Sequence, residues 1–176
     1  MERAPARLTP VVVVLGLGNE LRRDDAAGLL ALASLAGVRE WPPEVAFVAA
    51  GTGLVRCVER LRGARWCLAI DALAPSGSPG RVVLAPIEAV ASSGPLSPHA
   101  PALPSLLGLL PPEDRPACWV LGIEAGDAGF GEGLSPEVRA ALPAAVAEAA
   151  RWIDGRLGDA DDPEMGVHGP EPPPWA

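Results

Sequence analysis

The sequence predicts an α/β fold, built on an open, mostly parallel sheet of about five strands with helices on both faces. Three observations carry this reading. Val11-Val12-Val13-Val14-Leu15 is an unbroken β-branched run without alternation, as expected of a strand covered on both faces of a parallel sheet. Further strand-length apolar runs alternate with Ala- and Leu-rich stretches of helical length down the chain. Between the first strand and the first helix stands Asp24-Asp25, acid placed where a helix N-terminus favours it.

In order, Val11 to Leu15 is expected as the central strand and Ala26 to Leu35 as the first helix. Val45 to Ala49 follows as a strand, Gly53 to Leu61 as a helix and Trp66 to Ile70 as a strand. Arg81 to Ala85 reads as a shorter strand and Pro101 to Leu110 as a helix with proline in its first turn. Cys118 to Ile123 is expected as the last strand and Pro136 to Leu157 as a long closing helix, which Pro143 should kink or restart. Residues 1–157 form one domain, because 176 residues with 49% hydrophobic content suit a single sizeable core. From Gly158 the chain turns acidic and proline-rich, with too few apolar residues to offset ordering entropy, and residues 158–176 are expected to be a disordered tail.

Composition excludes several classes of function. A net charge of −8 with no lysine gives no clustered cations to displace counterions, so no nucleic-acid partner is expected. No apolar run reaches the roughly 20 residues of a membrane span. The N-terminus lacks a signal-like apolar region, and a cytoplasmic location is expected. Cys57, Cys67 and Cys118 are isolated among apolar neighbours, which argues for buried free thiols rather than disulfides or a metal knuckle.

Ligands of open α/β sheets bind beyond the carboxyl ends of the strands. Four segments fall there: Gly16 to Asp25, Gly51-Thr52-Gly53, Asp71-Ala72, and Ser97-Pro98-His99. Gly16-x-Gly18 invites a dinucleotide reading, but Leu21 stands where that fingerprint needs its third glycine, so a tight turn is the simpler role. Asp24 and Asp25 are explained by helix capping and dipole alone, and Asp71 by a turn. His99 is harder to explain structurally, because it lies between Pro98 and Pro101 in a stretch with little reason to be buried. One imidazole and two carboxylates from three strand-end loops make a three-ligand site of borderline softness, suited to zinc or nickel rather than calcium.

Leu15-Gly16-Leu17-Gly18-Asn19-Glu20-Leu21-Arg22-Arg23-Asp24-Asp25-Ala26-Ala27-Gly28 resembles the N-terminal signature of the nickel-iron hydrogenase maturation proteases. Gly51-Thr52-Gly53, Ile70-Asp71-Ala72 and Ser97-Pro98-His99 resemble that family's later blocks, as do Leu121-Gly122-Ile123-Glu124 and Gly129 to Pro136. The resemblance spans about residues 10 to 155 in order. It implies a three-layer α/β/α fold and an endopeptidase that removes the C-terminal extension of a hydrogenase large-subunit precursor after nickel insertion.

Matched position by position, it implies that Asp25, Asp71 and His99 are both the catalytic and the metal-binding residues. The resemblance further implies that the nickel is substrate-borne and that the partner is the precursor, and the enzyme is expected to be a monomer. Metal polarisation of the carbonyl and carboxylate-assisted attack of water both remain open. Two rivals stand beside this reading: a spore-germination type of protease on the same scaffold, and a non-catalytic nickel-sensing chaperone of the precursor. Ala26 departs from the family pattern, where glycine often follows the acidic pair, and the tail aligns with nothing.

Overall fold

The computed structural model describes residues 10–92 and 102–160. Five strands form one sheet: β1 (Val12–Leu17), β2 (Val45–Gly51), β3 (Trp66–Leu73), β4 (Val82–Pro86) and β5 (Ala117–Glu124), in the order β2-β1-β3-β5-β4. All neighbours pair parallel except β4, which runs antiparallel to β5. The helices are α1 (Ala27–Ala36), α2 (Val58–Leu61), α3 (Ile87–Ser92), α4 (Ala102–Leu107) and α5 (Pro136–Ala160).

Alternate residues of β1 feed two separate cores, which is why its valine run shows no polar alternation. Val12 and Val14 pack with Leu32 and Leu35 of α1 and with Val138 and Ile153 of α5. Val13 and Leu15 pack on the other face with Leu61, Leu103 and Leu106. Each such side chain, taken wholly out of water, contributes about 1.5–3 kcal/mol.

Several expected boundaries move. The central place in the sheet belongs to β3, whose eight residues are all buried, while β1 is its inner neighbour. β3 also runs on to Leu73, so Asp71 lies inside the strand rather than after it. The helix expected from Gly53 is a 3₁₀ turn, Leu54–Cys57, continued by the single turn of α2. The turn of helix α3 was not expected from the sequence. α5 passes Pro143 without interruption; Pro143 and Arg139, one turn earlier, are both exposed, so water can satisfy the carbonyl that loses its partner.

Cys57, Cys67 and Cys118 are buried free thiols. Cys67 and Cys118 face each other across the β3–β5 ladder. The hydrogen bond that the Cys67 thiol donates to Cys118, together with burial, pushes the Cys67 thiol well above its ordinary range. Among the described residues no helix is long and apolar enough to cross a membrane.

Candidate active site

The chain leaves β1 for β2 on one side and then returns past β1 to build β3 on the other, so the strand order reverses between β1 and β3. A reversal of this kind opens a crevice at the carboxyl edge of an α/β sheet. Here its position can be read from the ladders. The β1–β3 pairing ends at Gly16↔Ile70, whereas β3 continues beside β5 as far as Leu73↔Glu124. Asp71 is therefore the first residue of β3 beyond its pairing with β1. Its side chain is buried, and its Oδ1 accepts a hydrogen bond from the Ala72 amide at 2.9 Å.

The loop after β1 brings Asp25 to the same edge. Gly18 turns the chain with φ of +122°, and a Cβ on it would stand 1.8 Å from the Asp25 carbonyl oxygen. Only glycine permits that contact. The acidic pair then forms a 3₁₀ turn, Arg23–Ala26, which leads directly into α1. Neither carboxylate makes the expected cap: the residues at the cap positions are Arg22 and Ala26, and neither helical segment has a side-chain cap bond. Asp25 is 4% exposed.

Asp24 has another task. Its carboxylate accepts the amides of Gly126 and Asp127, both at 2.8 Å, the Ser135 amide at 2.6 Å and the Ser135 hydroxyl at 2.9 Å. Burial pushes its pKa up, but these bonds outweigh burial and the net effect is a pKa below the ordinary 3.8. Asp24 thus ties the β1 loop to the segment between β5 and α5. Arg23 sits at φ of +39°, strained for a non-glycine residue, and is held by its amide bond to the Gly131 carbonyl and a 3.1 Å ion pair with Asp127.

A second buried carboxylate organises the far side. Glu124 accepts the amides of Ser76 and Ser78, the Ser76 hydroxyl and the Arg81 guanidinium at 3.1 Å. The Ser78 amide leads these contacts in holding its pKa down at about 2. Sequence reading placed Glu124 in a family-like block without a role, and it assigned Asp24 to capping. The signal available for both was the cluster of Gly and Ser residues opposite them, whose amides suit a carboxylate.

Beside the acidic pair lies a cavity of about 500 Å³ lined by Gly18, Glu20, Leu21, Gly51, Thr52 and Arg56, among others. Gly51-Thr52-Gly53, singled out from the sequence, forms its β2 side. Asp25, Asp71 and the Gly51 turn thus all lie toward the carboxyl edge of the sheet. His99 lies outside the described residues, as does the tail beyond Ala160. Among the described residues no group of three or more metal-ligating side chains is assembled.

Fold and site define a doubly wound α/β protein with buried acids at its strand-order reversal. The hydrogenase maturation protease family model, HycI, matches residues 31–152, a span that includes Asp71 and His99 and begins after Asp25. The chain belongs to the hydrogenase maturation protease family. No curated protein matches it by sequence. Among solved structures it is similar to the hydrogenase maturating endopeptidase HybD from E. coli, at 23% identity and a TM-score of 0.74, over 82% of this chain and 92% of that one. The HybD maturation protease from Thermococcus kodakarensis is 30% identical with a TM-score of 0.68, over 80% and 97%. HycI from Thermococcus kodakarensis KOD1 is similar at 20% identity and a TM-score of 0.58, over 85% and 93%.

Proposed function

We propose that this protease removes the C-terminal extension of a nickel-iron hydrogenase large-subunit precursor once nickel is in place, with Asp25, Asp71 and His99 as its working residues. The observation that carries the reading is the opening of the crevice: β1 and β3 part at Gly16↔Ile70, and the next residue of β3 is the buried Asp71. Asp25 reaches the same edge through the Gly18 turn. Two carboxylates there, with the imidazole that the sequence supplies at His99, would give a mixed oxygen and nitrogen donor set of the kind that fits a metal of borderline softness such as nickel.

The nickel belongs to the substrate. Recognition of the loaded precursor then precedes cleavage, and the site licenses only precursors that carry the metal. In the hydrolysis, the amide carbon gains the hydroxyl of water while the departing amine gains a proton. A carboxylate at this edge can carry that proton. The protein acts without a membrane or nucleic acid, in the cytoplasm and as a monomer.

The test is mass-spectrometric cleavage of purified nickel-loaded precursor, with folding of each variant checked by circular dichroism. Asp25→Asn and His99→Ala are expected to lower turnover at least about a hundredfold, the loss typical of removing one group from a catalytic constellation, while remaining folded. Normal cleavage by both variants would refute the assignment. Precursor bound by the wild type but never shortened would favour the chaperone instead.

A further inference from the structure

Two large apolar side chains stand out in solvent beside the crevice: Leu21 is 65% exposed and Phe130 is 81% exposed. They come from segments more than a hundred positions apart, yet they are neighbours. The Gly131 amide bonds to the Leu21 carbonyl at 3.0 Å, the Arg23 amide bonds to the Gly131 carbonyl at 2.9 Å, and Arg22 and Gly131 form a parallel bridge. Arg22 lays its guanidinium carbon 5.4 Å from the Phe130 ring centroid and donates its Nε to the Ala128 carbonyl at 3.1 Å. An exposed aromatic on a loose loop would be unremarked; here the backbone of both segments is pinned, so the ring is displayed on a rigid support.

We infer that this Leu21–Phe130 ledge, with Arg22 across it, is the surface on which the folded precursor docks, through an apolar patch bordered by a carboxylate. The inference rests on the proposed function and adds the place of contact. Continuity with the site supports it, because Leu21 also lines the 500 Å³ cavity. A folded protein is far larger than that cavity, so the remainder of any substrate entering it must lie on the rim. Charge supports it too. In a chain of net charge −8, Arg22 has no carboxylate partner among the described residues, so an acidic group on the partner would complete it. Aromatic and arginine side chains held rigid are also the types that dominate binding energy at protein interfaces.

The experiment measures binding of nickel-loaded precursor by biolayer interferometry, alongside steady-state cleavage. Phe130→Ala is expected to weaken binding about tenfold and to raise KM to match, with kcat within about twofold, whereas Phe130→Leu recovers most of the affinity. Arg22→Gln should weaken binding at low salt and make it less salt-dependent. Unchanged affinity in Phe130→Ala, or a fall in kcat with KM unaltered, overturns the docking role. So does a concentration-dependent dimer of the free protein that Phe130→Ala abolishes, since the ledge would then serve a second copy. If the wild type binds precursor without cutting it, and Phe130→Ala binds it more weakly, the ledge stands and the proposed protease function falls.

Discussion

Gly28 lies against the backbone of Ile70 so closely that a Cβ on it would stand 2.3 Å from the Ile70 carbonyl oxygen. The Leu17 carbonyl oxygen is as near on the other side, at 2.4 Å. The first turn of α1 is thus pressed into the gap where β1 and β3 separate, between the residues that lead to Asp25 and to Asp71. Gly28→Ala cannot be relieved by a rotamer, since both obstacles are backbone. It should cost about 3 kcal/mol or more and displace the crevice, seen as a lower midpoint in urea unfolding with activity lost even in the folded fraction.

Asp24 and Asp25 are adjacent but should respond differently to the same chemistry. Asp24→Asn removes the charge from four hydrogen bonds and replaces one acceptor oxygen by a donor facing an amide. A loss of about 2–3 kcal/mol follows. Asp25→Asn should abolish cleavage in protein that still folds. Thermal unfolding and the precursor assay, run on both variants, check the contrast; equal effects on stability would show that the two acids share one structural task.

Acid should loosen the site before it unfolds the core. Glu124 and Asp24 both have folded-state pKa values below their ordinary ones, so their contribution is complete above the unfolded values and fades as pH falls through the folded ones. For Glu124 the window runs from 4.5 down to about 2. The prediction is a fall in the unfolding midpoint across that window, shallower in Glu124→Gln because this source of pH dependence is gone. Midpoints measured at several pH values test it, and identical slopes for wild type and variant would count against the Glu124 clamp.

The thiols should be spectators of the chemistry. Cys57, Cys67 and Cys118 are buried, and the latter two pair in register near the amino end of the β3–β5 ladder rather than at its carboxyl edge. A Cys57→Ser, Cys67→Ser, Cys118→Ser variant should lose about 1–3 kcal/mol at each site, because each hydroxyl is desolvated, yet process precursor at the wild-type rate when folded. Lost processing in a folded triple variant would relocate the reaction.

The sequence made the fold legible wherever burial alone determines structure. The valine run of β1 needs covering on both faces, and both cores are there. Less legible were positions decided by long-range pairing. Asp71 was expected after its strand, since the apolar run ends at Ile70, yet β5 carries the ladder on to Leu73. Asp24 looked like a cap because its partners, Gly126, Asp127 and Ser135, lie far along the chain and local reading supplies only local acceptors and donors. α5 defied its internal proline because Pro143 is exposed and the lost hydrogen bond faces water.

The ties between the loop after β1 and residues 126–135 have a consequence for biosynthesis. The acids of the first loop are made early on the ribosome, but the donors that fix Asp24 arrive only with Gly126, Asp127 and Ser135. A nascent chain that has emerged only as far as β5 carries every strand of the sheet and still lacks the groups that fix Asp24 and the loop after β1. Cutting competence therefore comes late in translation, and prematurely terminated fragments should be inert rather than indiscriminate proteases.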